Sequence, residues 1–238
     1  PGFPAIERIF SHRGFDILPI PVDVDGIRGS LLPSSAKTIV YVSPSNQFPL
    51  GSVMPVGKRY ALLEWARLSQ NYILEDDYDS EFRYAGRPIP PIKAMDAANR
   101  VIYLGTFSKS IAPSVRISYL VLPPILMQVC QTGLSYYNTT VTGAEQIILS
   151  RFIDNGDFER HINRMRTLYR KKRDLFVRSL APYKNLLDIS GTDAGHHLLC
   201  HVKNGMSEEE LIRNAKNAAT KVYGISAYYL KEPGKKPT

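Results

Sequence analysis

Apolar residues in the first half of the chain gather into short, nearly unbroken runs, each followed by a polar or turn-forming cluster. Residues 38–42 (TIVYV) are β-branched and aromatic and stop at Ser43-Pro44-Ser45-Asn46, which predicts a strand entering a turn. Beyond Pro55, Tyr60, Leu63 and Leu68 recur at helical spacing. A second short strand is predicted over residues 72–74, running into the acids Glu75-Asp76-Asp77. A proline-rich loop at 87–91 follows, then a third strand over 101–104 that breaks at Gly105. A fourth covers 115–122 and stops at Pro123-Pro124. Continuous apolar strands alternating with helical segments predict an α/β fold with a mostly parallel sheet covered on both faces.

The pattern changes in the second half. Thr142-Gly143-Ala144-Glu145 reads as a capping box opening a helix. A long helix is predicted from near Asp157 to just before Pro182, with Phe158, Ile162, Met165, Tyr169, Phe176 and Leu180 forming its apolar stripe. A strand over 197–202 and an acidic helix start at Ser207-Glu208-Glu209-Glu210 come next, and the tail 231–238 reads as a loop. The expected organisation is a large domain over residues 1–156, then an interdomain helix and part of a small α+β domain over 157–238.

Composition changes this picture little. The 238 residues are 44% hydrophobic and 22% charged, as in ordinary globular proteins. No run approaches the roughly 18 apolar residues of a membrane span, and the first ten residues do not read as a secretory leader. Two cysteines, Cys130 and Cys200, show no metal or disulfide spacing, so a cytoplasmic, reducing compartment is expected and no metal. The net charge of +8 could mark a nucleic-acid partner. Much of it lies on the long helix (Arg160, Arg164, Arg166, Arg170, Lys171, Lys172, Arg173, Arg178), where a solvated basic face is the expectation, because no helix-turn-helix pattern accompanies it.

Open α/β sheets bind ligands beyond the carboxyl ends of their strands. Three predicted strand ends here carry reactive groups: Ser43 to Asn46, Glu75-Asp76-Asp77-Tyr78, and Gly105-Thr106-Phe107-Ser108-Lys109, with Arg116 close behind. Singly, each has a bland structural reading: Asp76 as a helix cap, Lys109 as a surface amine, Arg116 as half of a surface ion pair. Together they suit pyridoxal 5'-phosphate. That cofactor needs an amine to hold its aldehyde as a Schiff base, a carboxylate to keep its pyridine nitrogen protonated, and hydroxyls and an arginine for its phosphate. Motifs for other cofactors (GxxxxGK[ST], GxGxxG, HExxH) do not occur.

At these residues the chain resembles a known family. EDDYDSEFRY at 75–84, VIYLGTFSKS at 101–110 and PSVRISYLVLPP at 113–124 resemble the aminotransferase-like effector domain of MocR/GabR-type (GntR family) transcription regulators. SPSNQFPLG at 43–51 and GHHLL at 195–199 look like that family's strand-end loop and small-domain strand. The resemblance implies the fold of the fold-type I pyridoxal phosphate-dependent transferases. It also implies roles: Lys109 as the Schiff-base lysine, Asp76 on the pyridinium nitrogen, and Tyr78 on the ring oxygen. Thr106, Ser108 and Arg116 would serve the phosphate, Phe3 would stack on the ring, and Asn46 would reach the ring oxygen. His197 matches a small-domain histidine whose expected role is structural. The implied function is sensing of a small amino acid, GABA by kinship, in a cytoplasmic homodimer whose DNA contact comes from an N-terminal domain outside this chain. The family's upstream phosphate loop and its carboxylate-binding arginine also lie outside it, so the chain reads as an internal fragment. A genuine class I/II aminotransferase is the alternative, and a basic nucleic-acid-binding module is a third reading that rests on the long helix alone.

Overall fold

The computed structural model describes residues 2–35 and 37–230; Pro1 and the tail at 231–238 lie outside the described residues. The chain runs α1 (Pro4–His12), β1 (Val22–Asp23), β2 (Gly26–Ile27), β3 (Ile39–Val42), α2 (Val56–Leu68), β4 (Tyr72–Asp77), β5 (Val101–Thr106) and β6 (Ser118–Val121). It continues with α3 (Pro124–Gly133), α4 (Gly143–Asp154), α5 (Asp157–Leu180), β7 (Leu187–Ser190), β8 (Leu199–Val202) and α6 (Glu208–Asn217). Strands β3, β4 and β5 pair in parallel, and β6 closes the row antiparallel to β5.

The register fixes what faces where. Val40, Ile73 and Val101 stand abreast, as do Val42, Glu75 and Tyr103 two residues further on, so these six side chains share one sheet face and Tyr41, Leu74 and Asp76 take the other. The first face is buried under Leu62 and Ala66 of α2, with Met54 and Ile92 completing the core. Tyr60 and Leu68, predicted as apolar contacts, point away at 58% and 67% exposure. Buried Arg59 takes a core position instead, because its guanidinium donates to the carbonyls of Met54, Pro44 and Pro90.

Four further boundaries differ from the sequence pattern. Strand β4 continues through the acids to Asp77, because their carboxylates find partners: Glu75 accepts the backbone N–H groups of Ile92 and Lys93, and Asp77 accepts from Tyr103 Oη at 2.8 Å. Strand β5 likewise runs on to Thr106. Strand β6 starts only at Ser118, since Arg116 sits in the left-handed region at φ +51. Strand β8 starts at Leu199, after a segment containing Gly195 at φ +79.

Helix α5 spans the predicted range, and the capping box at Thr142 is formed at the start of α4. The basic face of α5 is only partly solvated. Arg166 Nε donates to the Glu81 carbonyl at 2.8 Å, and Arg173 donates to the Thr192 carbonyl while lying 5.2 Å from the Tyr84 ring centroid. Phe176, expected on the buried stripe, is half exposed. Among the described residues no helix is long and apolar enough to cross a membrane.

Candidate functional site

A cleft of about 1500 Å³ opens beyond the carboxyl ends of β3, β4 and β5. Tyr41, Asp76, Tyr78, Asp79, Lys109, His196 and His197 line it, with Phe3 and Phe48 among its apolar walls. Asp76 reaches it because strand alternation turns Glu75 and Asp77 to the opposite face. Lys109 sits on the turn after β5. That turn is anchored at both ends, by Phe107 N–H on the Ile117 carbonyl and by His161 Nε2, 3.0 Å from the Ser110 carbonyl. The lysine is exposed toward the cleft and forms no hydrogen bond or ion pair among the described residues.

The carboxylate of Asp76 accepts the Tyr41 hydroxyl on Oδ2, and its Oδ1 has no partner among the described residues. Burial pushes its pKa up, the Tyr41 bond opposes that shift, and neighbouring Asp77 adds to it. The Tyr78 hydroxyl donates to the Asn46 carbonyl at 2.8 Å, and burial raises its pKa further beyond the ordinary phenol value. Asn46 is buried, and its amide Nδ2 donates to Asp79 Oδ2 at 2.7 Å. The other side-chain oxygens of Asn46 and Asp79 are buried without partners among the described residues. Desolvation pushes Asp79 up to about 7. His196, packed on Phe82 and Tyr169, is pushed down to about 4 by burial first and then by Lys109, so it is a neutral imidazole at ordinary pH. Burial likewise lowers His197, whose Nε2 lies 3.1 Å from the Pro49 carbonyl.

The sequence-predicted residues thus divide into two groups. Lys109, Asp76, Tyr78 and Phe3 share the cleft. The Phe3 ring stands edge-on to Phe48 with centroids 6.5 Å apart. Asn46 lies directly behind Tyr78 rather than in the cleft wall. Thr106, Ser108 and Arg116 do not line the cleft: Thr106 Oγ1 donates to the Ile117 carbonyl and accepts Ser108 N–H, and Arg116 is exposed. An amine and a carboxylate with a free oxygen therefore fit the aldehyde and the ring nitrogen of pyridoxal phosphate, the Tyr78 phenol reaches the ring oxygen only by leaving the Asn46 carbonyl, and the phosphate end is not assembled within the cleft. Tyr41, Asp79 and His196 are site residues that the sequence pattern did not single out. Tyr41 looks like one more apolar strand position until the register with β4 is known.

Comparison with known proteins bears on the family and the fold. No family model matches the chain. It is 43% identical over 234 residues to an uncharacterized HTH-type transcriptional regulator, YdeL, of Bacillus subtilis, covering 98% of the chain and 50% of the relative. It is 34% identical over 239 residues to the probable rhizopine catabolism regulatory protein MocR of Rhizobium meliloti, covering 98% and 48%. Among solved structures, a multiple substrate aminotransferase from Thermococcus profundus superposes with a TM-score of 0.88 at 28% identity, covering 100% of this chain and 61% of that one. The chain spans about half the length of the curated relatives it matches.

Proposed function

We propose, from the premise that this chain is homologous to MocR-type helix-turn-helix transcription regulators and has the fold of pyridoxal phosphate-dependent fold-type I aminotransferases, that it is the cofactor- and amino-acid-sensing part of a bacterial transcription regulator. The single observation that carries this reading is the convergence of Lys109, Asp76 and Tyr78 on one cleft at the carboxyl edge of the sheet. When bound, pyridoxal phosphate supplies an electrophilic aldehyde and a ring that withdraws electrons. Lys109 is the amine that holds the aldehyde. Asp76 would offer Oδ1, unpartnered among the described residues, to the protonated ring nitrogen, and Tyr78 would serve the ring oxygen by turning its O–H away from the Asn46 carbonyl. Neutral His196 borders Lys109 without adding a positive charge. An amino acid competing for the same aldehyde would free the Lys109 amine, and the difference in free energy between the two bound forms would bias the arrangement of the whole protein. In the longer protein we expect a homodimer in the cytoplasm, with DNA bound by a helix-turn-helix region.

The test is spectroscopic. Mixing the protein with pyridoxal phosphate should give a visible absorbance band, and borohydride should then fix the cofactor to Lys109, as peptide mass spectrometry would read. Lys109→Ala should abolish both. Failure of the wild type to be trapped at Lys109 would remove the proposal. The aminotransferase reading uses the same cleft residues and is supported by the likeness in fold. Repeated release of a keto acid from an amino acid would favour it over sensing.

A further inference from the structure

We propose that Tyr41 is a positioning residue for Asp76: its hydroxyl holds one carboxylate oxygen and leaves the other free, in the cleft, for a protonated ring nitrogen. The inference rests on the pyridoxal phosphate reading above.

The geometry comes from strand register. Tyr41 on β3 stands beside Leu74 on β4, so it shares a sheet face with Leu74 and Asp76. A tyrosine is long enough to reach two residues along the neighbouring strand, where its Oη donates to Asp76 Oδ2. The adjacent acids are engaged elsewhere, Glu75 by two backbone N–H groups and Asp77 by Tyr103. Asp77 keeps a buried Oδ1 without a partner among the described residues, but on the face away from the cleft, so Asp76 is the acid of the three that presents an unpartnered oxygen to the cleft.

The electrostatics explain why a phenol suits this place. Burial disfavours the charge on Asp76, and Asp77 disfavours it further. A protonated Asp76 would have no charge with which to hold a pyridinium. Hydrogen bonding to the charged form counters both effects, and the donor must not itself ionise. Tyr41 meets that condition, because burial and the nearby Asp76 carboxylate raise its pKa well above the ordinary phenol value. The other ionisable groups around Asp76 are Asp77, Tyr78 and Asp79 on β4 and its end, Lys109 after β5, and His196 and His197 from the segment before β8.

The experiment uses the whole chain with Tyr41→Phe, which removes the oxygen and keeps the ring, beside Asp76→Asn. Without cofactor, carboxyl carbon NMR should place the Asp76 titration on the order of one pH unit higher in Tyr41→Phe than in the wild type, since a lost hydrogen bond no longer favours the ion. With pyridoxal phosphate, the variant's affinity should match the wild type at alkaline pH and fall by about tenfold on the acidic limb, the equivalent of one pH unit. Asp76→Asn should bind weakly at every pH. If Tyr41→Phe does not fold, fluorotyrosine at position 41 tests the same bond with a stronger donor and should move the Asp76 titration down. An unchanged Asp76 titration, or an equal loss of affinity at all pH values, overturns the positioning role alone. A wild type that binds no cofactor overturns it together with the proposed function.

Discussion

The left-handed backbone of Gly195 lies against two site residues at once. A Cβ there would stand 2.0 Å from Asn46 Nδ2 and 2.7 Å from Asp79 Oδ2, and its φ of +79 disfavours any other residue. Gly195→Ala should therefore destabilise the protein by about 2 kcal/mol or more, measured by urea unfolding. Asp79, which meets that glycine, carries a second prediction. Its folded pKa of about 7 lies above the ordinary 3.8, so the native state binds this proton more tightly than the unfolded chain does. The stability it contributes is fully present below about pH 4 and is lost as pH rises through about 7. Asp79→Asn, with no proton to lose, should show a shallower fall in unfolding free energy across that window, so variant and wild type diverge as pH rises. A difference that stays constant across the window would refute the assignment. Both residues lie in motifs that the sequence displays, but their contact was not legible, because a buried meeting of positions 79 and 195 leaves no local pattern.

Among the elements, helix α5 separates what periodicity can and cannot tell. Its length and its apolar stripe are legible from spacing, and Ile162 is buried as that stripe requires. The fate of its arginines is not legible, since the carbonyls that Arg166 and Arg173 find belong to Glu81 and Thr192, far away in the chain. This contrast can be measured on one helix. Arg166→Ala should cost about 1–2 kcal/mol by losing a charged donor to a backbone carbonyl, whereas exposed Arg164→Ala should stay within about 0.5 kcal/mol of wild type. Equal effects would return both to the solvated face. The same limit explains β4. Its apolar start is visible, but its run through Glu75, Asp76 and Asp77 depends on partners at Ile92, Lys93, Tyr103 and Tyr41 that only the folded sheet supplies.

At the scale of the molecule, the site depends on how the segment before β8 meets the strand-end loops. The Lys109, Asp76 and Tyr78 motifs were readable because each follows a strand, and a parallel sheet brings such ends to one edge. The docking of residues 191–197 was not readable, because it relies on backbone closeness rather than side-chain pattern. Gly51 and Gly191 approach so nearly that a Cβ on Gly51 would stand 2.5 Å from Gly191 Cα. Nearby, Gly195 N–H donates to the Phe82 carbonyl, Tyr84 Oη donates to the Gly195 carbonyl, and His197 meets the Pro49 carbonyl. Gly51→Ala should push this segment off the loop that carries Asn46, while β3, β4 and β5 keep their own ladder and core. Hydrogen exchange should therefore quicken across 191–197 and stay unchanged in the three parallel strands. Pyridoxal phosphate affinity should fall as His196 and His197 leave the cleft wall. Exchange that quickens equally everywhere would mean that Gly51 serves global stability instead. If the 191–197 segment loosens and cofactor affinity does not change, the cleft functions without that wall.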